Sequence, residues 1–471
     1  MEESHRLKRF FERHPHHRQT FFSRPYVSRR QFFEVLGAGI TGSYLLPGLA
    51  DAQVAETTSA GVTTQNKAKN VIFILLAGAI SHTDTFDFKM VNGVTPSDFN
   101  PTMMNGINWP MGLLPKTGDL LSDLAIVRSM QAHALVHSLA QHWTQIGRNP
   151  AAALGNIAPN IGSVVAIEKY QPGQLFPPFL ALNSNACVGS GYLSAQYAPF
   201  KITPATTGLP NTSNPNDTTG AKGGRFDQMY TGLQTLDAGL RANSPYGKSL
   251  DDYTQFYDAA RRMMYDDRVK TAFSYASADS NRYGNSGFGN ACLVAKQVLA
   301  ANQGTRFILI TSNGWDMHQD IYGQTNPNGN NLYTLGMSLD NGYSALISDL
   351  KSSALLDQTL VVMVGEFGRT VGPLSAAGGR DHWLQQSAVF AGAGIKGGRT
   401  IGSTTADGAT TADPGWSRKR PVNAEDIEAT VYSAMGIDWT TLRKDDPFGR
   451  GFEYVPYSDQ DLYGPVNELW G

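Results

Sequence analysis

Apolar runs without interruption recur along the chain and are separated by stretches whose charged and apolar positions alternate at helical spacing. Residues 70–76 (Asn-Val-Ile-Phe-Ile-Leu-Leu) form such a run, as expected of a strand buried on both faces of a parallel sheet. Residues 124–128, 179–182, 306–311, 359–364 and 387–391 predict five more strands, the 179–182 strand directly after the breaker pair Pro177-Pro178. Helical spacing covers residues 227–241, 249–273, 290–303, 333–356 and 425–435. Strands alternating with helices predict an α/β fold, a mostly parallel central sheet covered by helices. Residues 201–225 are polar and rich in Pro, Thr, Asn and Gly. They read as an exposed excursion, so a single domain over 70–471 is expected to carry a loop and helical insertion at about 200–285.

The N-terminus has a different pattern. A basic stretch leads to Ser28-Arg29-Arg30-Gln31-Phe32-Phe33, then to a short glycine-containing apolar run over 35–49, and closes on Ala50-Asp51-Ala52. This order predicts a twin-arginine signal peptide over residues 1–52, followed by a flexible Ser/Thr/Ala-rich leader over 53–69. The expectation is a protein delivered folded by the twin-arginine export machinery to the periplasm or the medium. The apolar run is too short to span a bilayer and nothing later approaches that length, so no transmembrane anchor is expected in the mature chain. The 38 basic and 40 acidic residues leave a net charge of −2, which gives no reason to expect a nucleic-acid partner. Two cysteines, Cys187 and Cys292, are too few for a disulfide scaffold or a multi-cysteine zinc module, and both are expected as buried thiols.

Candidate chemistry gathers where strands end, the place open α/β sheets bind ligands. The strand ending at Thr311 leads to Asp316 and His318, and the one ending at Val364 leads to Glu366 and Arg369. Asp381 and His382 precede the next strand. Asp-x-His spacing places carboxylate and imidazole on one side of an extended segment, a donor set that suits a divalent ion such as zinc, manganese or iron. Arg369 is the candidate clamp for a phosphate or sulfate oxygen. A second group follows the first strand and the second: His82, Asp84 and Asp87, then His133, His137, Ser138 and His142. Each motif also has a plain structural reading, a surface or capping acid or a solvated helix face, and Glu366, Arg369 and Asp381 would equally serve as an internal ion-pair network.

Gly314-Trp315-Asp316-x-His318, Gly365-Glu366-Phe367-Gly368-Arg369-Thr370 and Gly379-Arg380-Asp381-His382-Trp383 together resemble the family catalogued as domain of unknown function 1501, placed with the alkaline phosphatase and sulfatase superfamily. Asp84-Thr85-Phe86-Asp87, Arg128-Ser129-Met130 and His137-Ser138 fit as well, and the resemblance spans about residues 70–440. It implies an α/β core with one or two divalent ions, calcium being a further option. Asp316 and His318 would be ligands of one ion, and Glu366, Asp381 and His382 would fill later ligand positions. His137 or Ser138 would stand at the nucleophile position, with Ser138 chemically the better suited. The chain departs from the superfamily pattern at Gly78-Ala79, where an aspartate ligand is usual, so that Asp84 or Asp87 would have to substitute. Glu366-Phe367 likewise replaces an Asp-His pair and removes a nitrogen ligand, which leaves a single ion, or none, open. Neither cysteine sits in a Cys-x-Pro-Ser-Arg setting, which argues against a formylglycine sulfatase. The expectation is an extracytoplasmic metal-dependent hydrolase of phosphate or sulfate esters, on a small molecule or on a polymer such as a glycan. The alternative is a non-catalytic cell-surface binding or assembly protein on a degenerate hydrolase scaffold.

Overall fold

The computed structural model describes residues 57–58, 61–184, 186–210, 212, 224–242, 248–323 and 329–471. The signal peptide expected over 1–52 lies outside the described residues. The central sheet and all the site residues belong to one compact unit, Ala55–Thr235 with Asp252–Gly471.

Eight strands build that sheet: β1 (Asn70–Ala77), β2 (Leu124–Gln131), β3 (Phe179–Leu182), β4 (Phe200–Ile202), β5 (Phe307–Asn313), β6 (Thr359–Gly365), β7 (Gln385–Ala391) and β8 (Arg399–Ile401). Their order across the sheet is β8-β2-β7-β6-β1-β5-β3-β4. Five neighbouring pairs are parallel, and β7 alone runs antiparallel to both its neighbours, β2 and β6. Every residue of β1 is buried, because the pleat sends alternate side chains into two separate cores. Ile72, Ile74 and Leu76 pack with α6 (Gly287–Ala301) and α7 (Leu332–Ser352). Val71, Phe73 and Leu75 pack with α2 (Ile161–Lys169) and α8 (Ala424–Ala434). A sheet covered on both faces is what unbroken apolar strands require.

All six strands expected from the sequence form, as does the mostly parallel, helix-covered sheet. The short edge strands β4 and β8 carry too few residues to show a pattern. The single helix expected over 249–273 is two, α4 (Lys248–Met263) and α5 (Asp267–Phe273). The break falls at Tyr265, which takes φ +58, and at Asp266, whose side chain accepts from the Arg268 N–H and starts the new helix. Helix α3 (Arg225–Ala242) precedes them. The end of the expected flexible leader is tied down: the N–H groups of Asn66, Lys67 and Ala68 donate to the carbonyls of Ser433 and Ala434 at the end of α8. Cys187 and Cys292 are buried free thiols. Among the described residues no helix is long and apolar enough to cross a membrane.

Candidate metal centre

The carboxyl ends of β5, β6 and β1 meet the start of α1 (His137–Ile146) and a small hairpin in which Gly368–Arg369 pairs antiparallel with His382–Trp383. The hairpin register sets Arg369 opposite His382. These elements bring four ligand-type side chains together: His137, Asp316, His318 and His382 each offer an atom within 4.8 Å of the other three. Asp316 Oδ1 lies 3.2 Å from His137 Nε2, 3.0 Å from His318 Nε2 and 3.9 Å from His382 Nε2. The two Nε2 atoms of His318 and His382 stand 3.1 Å apart.

The outer ring nitrogens explain the arrangement. His137 Nδ1 lies 2.7 Å from Glu366 Oε1, His318 Nδ1 lies 2.7 Å from Asp381 Oδ1, and His382 Nδ1 lies 2.6 Å from the Leu135 carbonyl oxygen. All three partners are acceptors, so each imidazole carries its proton on Nδ1 and turns a bare Nε2 lone pair inward. His137 Nε2 is buried and has no hydrogen-bond partner. Three lone pairs and a carboxylate facing one point repel each other unless a cation sits among them. An ion bound at about 2.0–2.1 Å by four tetrahedral ligands spaces those ligands by roughly 3.3 Å, close to the spacings observed here. The residues therefore fit one divalent ion, with His137, Asp316, His318 and His382 as its holders.

Charge and burial act on these groups in different directions, the pull on His137 being toward its cationic form, which a bound ion would oppose. Hydrogen bonding to Glu366 raises the His137 imidazole above its ordinary value, against burial and with help from the Glu366 and Asp316 charges. Burial lowers His382, and the nearby Arg369 cation adds to that. Burial would raise Asp316, but the Arg369 hydrogen bond and charge, with His137 and His318, hold its carboxyl below the usual range. The site is reinforced from behind. Glu366, 1% exposed, accepts from the Gly78 N–H at 2.9 Å and from Gln141 Nε2 at 3.0 Å as well as facing His137. The Phe367 ring packs 4.9 Å from His137 and 4.5 Å from His382, between centroids.

Several expected roles change with this geometry. Glu366 and Asp381 are not among the four; each stands behind a histidine and orients it. His137, expected near the nucleophile position, stands among the four ligand-type side chains. Asp84 is elsewhere: one oxygen accepts from Ser81 Oγ at 2.6 Å and Arg380 Nε at 2.7 Å, and the other from the Tyr322 hydroxyl at 2.7 Å. Asp87 is likewise occupied by Thr404, Lys89 and Arg128. Arg369, 1% exposed, donates to the carbonyls of Gly78, Ala79 and Arg380 and to Asp316 Oδ1 at 2.6 Å, so its fork is not free to clamp an ester. Ser138 is exposed beside His137, and its hydroxyl makes no hydrogen bond to another described residue. His133 precedes the helix, with Nε2 3.1 Å from Glu425 Oε2 and its ring stacked on Trp143.

Gly78 accounts for the missing aspartate after the first strand. It takes φ +101, and a Cβ there would stand 2.4 Å from the Asp316 backbone nitrogen. No side chain fits, and its N–H donates to Glu366. Sequence reasoning passed over Gln141, although it lies four residues after His137 and so on the same helix face. The Leu135 carbonyl carries no side-chain signal at all.

Solved structures similar over most of both chains include a sulfatase from Pseudoalteromonas sp., at 12% identity and a TM-score of 0.39, covering 85% of this chain and 71% of that one. A phosphonate monoester hydrolase of Agrobacterium radiobacter gives 11%, 0.38, 86% and 77%. The lipoteichoic acid synthase LtaP from Listeria monocytogenes gives 12%, 0.37, 89% and 80%. Likenesses this loose carry no conclusion about activity. No curated protein matches the chain. Residues 68–458 match the family described as Protein of unknown function (DUF1501), and the chain belongs to that family.

Proposed function

We propose that this protein is a hydrolase of phosphate or sulfate esters, on a small molecule or a glycan-like polymer, that works outside the cytoplasm with one divalent ion. The observation that carries this reading is the convergence of three Nε2 lone pairs on Asp316 Oδ1, each imidazole oriented by an acceptor on its far side. A divalent ion held there would supply Lewis acidity toward an ester oxygen. The chain's own residues do the rest. Glu366, Asp381 and the Leu135 carbonyl hold the imidazoles in one tautomer, and Arg369 keeps Asp316 ionised and in place. Asp316, with 42% of its side chain exposed, leaves the centre open to an incoming substrate. Ser138, exposed in the first turn of α1, is taken as the attacking group. Export by the twin-arginine route is read from Ser28-Arg29-Arg30-Gln31-Phe32-Phe33.

The test is elemental analysis of the chain without residues 1–52, beside Asp316→Ala, with hydrolysis of 4-nitrophenyl esters assayed in parallel. One ion per chain, lost together with hydrolysis on substitution, is expected. Hydrolysis that survives in Asp316→Ala with no ion bound would sink the reading. Ser138→Ala is expected to retain the ion and lose turnover by roughly a thousandfold, as for other activated nucleophiles.

One observation favours a second reading. Gly78 leaves no room for a carboxylate after the first strand, which favours a non-catalytic binding or assembly protein on a degenerate form of the scaffold. Wild-type protein that stays empty when offered zinc, manganese, iron and calcium would decide for it.

A further inference from the structure

The charges around the centre bear on which ester it takes, an argument that rests on the single-ion reading above. Three carboxylates bear on the four ligand-type side chains: Asp316 among them, Glu366 behind His137 and Asp381 behind His318. The cation acting on His137, His382 and Asp316 is Arg369. With the imidazoles neutral as ligands, these groups leave two negative charges, which one divalent ion cancels. The occupied centre is then neutral.

Among the described residues, neither arginine beside the centre is free to add positive charge. Arg369 and Arg380 are each 1% exposed. Arg369 is turned onto three carbonyls and Asp316. Arg380 is turned onto Asp84, Tyr322 and the carbonyls of Thr370 and Gly372. What the centre shows to solvent is acidic: the Asp316 side chain is 42% exposed and that of Asp381 66%.

We infer that the centre takes a monoanionic tetrahedral ester, a sulfate monoester or a phosphate diester, and discriminates against the dianion of a phosphate monoester. A second negative charge on the ligand meets no uncompensated cation and faces Asp381. In a partly buried site the mismatch of one unit charge suffices for about tenfold discrimination or more.

The substrate's own titration provides the test. A phosphate monoester changes from dianion to monoanion as pH falls through about 6, whereas a diester and a sulfate ester keep one charge. We would load the protein with zinc and measure kcat/KM for 4-nitrophenyl phosphate, bis(4-nitrophenyl) phosphate and 4-nitrophenyl sulfate between about pH 8 and pH 5. Enzyme titrations and ion occupancy cancel in the monoester-to-diester ratio. That ratio is expected to rise roughly tenfold as pH falls, and a flat or falling ratio overturns the inference. Turnover of the aryl sulfate or of the diester tells the two monoanions apart.

A binding arm stands apart from turnover. Calorimetry on the zinc-loaded protein at about pH 8 should show dimethyl phosphate binding more tightly than methyl phosphate. Tighter methyl phosphate, or no binding of either, overturns the inference; absence of hydrolysis with dimethyl phosphate preferred sinks the hydrolase reading alone. Asp381→Asn should move the preference toward the dianion by about threefold or more, and an unmoved preference also counts against the assignment.

Discussion

At the scale of single residues, Arg369 is the group on which the centre most depends without being one of its four ligand-type side chains. It is a buried cation that joins the loop after β1, through Gly78 and Ala79, to Asp316 and to the Arg380 backbone. Removing it would leave the Gly78, Ala79 and Arg380 carbonyls without their donor, whereas Asp316, 42% exposed, can still reach water. Arg369→Met is therefore expected to cost about 1–3 kcal/mol, read from denaturant unfolding of the metal-free protein. A loss below about 1 kcal/mol would mean the carbonyls find water as well. Arg369 was visible in the sequence as a charged residue after a strand end, where its planar fork suggested an ester clamp and an internal ion-pair network was the alternative. In the structure it is buried, in a hairpin register opposite His382, with its fork turned inward.

Among the elements, the turn after β1 shows how close backbone packing excludes a side chain. Gly78 sits in the left-handed region, against the Trp315–Asp316 backbone, with its N–H on Glu366. Gly78→Ala adds both strain and a clash, and the atom it displaces first belongs to Asp316. The expected outcome is ion affinity weakened by roughly 10- to 100-fold, measured by competition with a chelator. Unchanged affinity would show that Asp316 is positioned from elsewhere. Helix α1 contributes in the opposite way, by regular periodicity: His137 and Gln141, one turn apart, both reach Glu366. The four-and-five spacing of His133, His137 and His142 suggested a shared face. The helix starts only at His137, so His133 leaves that face and pairs with Glu425.

For the molecule as a whole, the helix layer on the α8 side holds a pH dependence independent of the metal centre. Burial pushes the Glu428 carboxyl up to about 8, against the pull of Arg148 and of the Tyr432 hydroxyl. Its Oε2 atom has no hydrogen-bond partner. In the unfolded chain the group loses its proton near about 4.3. Between those values the folded state binds more protons, so stability falls as pH rises from about 4.5 toward about 8. Glu428→Gln should flatten that part of the profile and make the protein more resistant to denaturant above about pH 8. An unaltered slope would assign the dependence to other groups.

Local patterning was enough to place the six longer strands and most helices after residue 225, though not α2 and not the break between α4 and α5, because buried strands and one-sided helices each impose a repeat that a few consecutive residues display. It was also enough to single out Asp316, His318, Glu366 and His382, since strand ends are where such groups meet a ligand. What it could not reveal was which of them face inward together. That depended on contacts between residues far apart in the chain: His137 on Glu366, His318 on Asp381, His382 on the Leu135 carbonyl, and Arg369 across from His382 in a two-residue pairing. A ligand and the carboxylate that orients it have the same composition and spacing. They differ only in position, and position here is set by how the carboxyl edge of the sheet closes against α1.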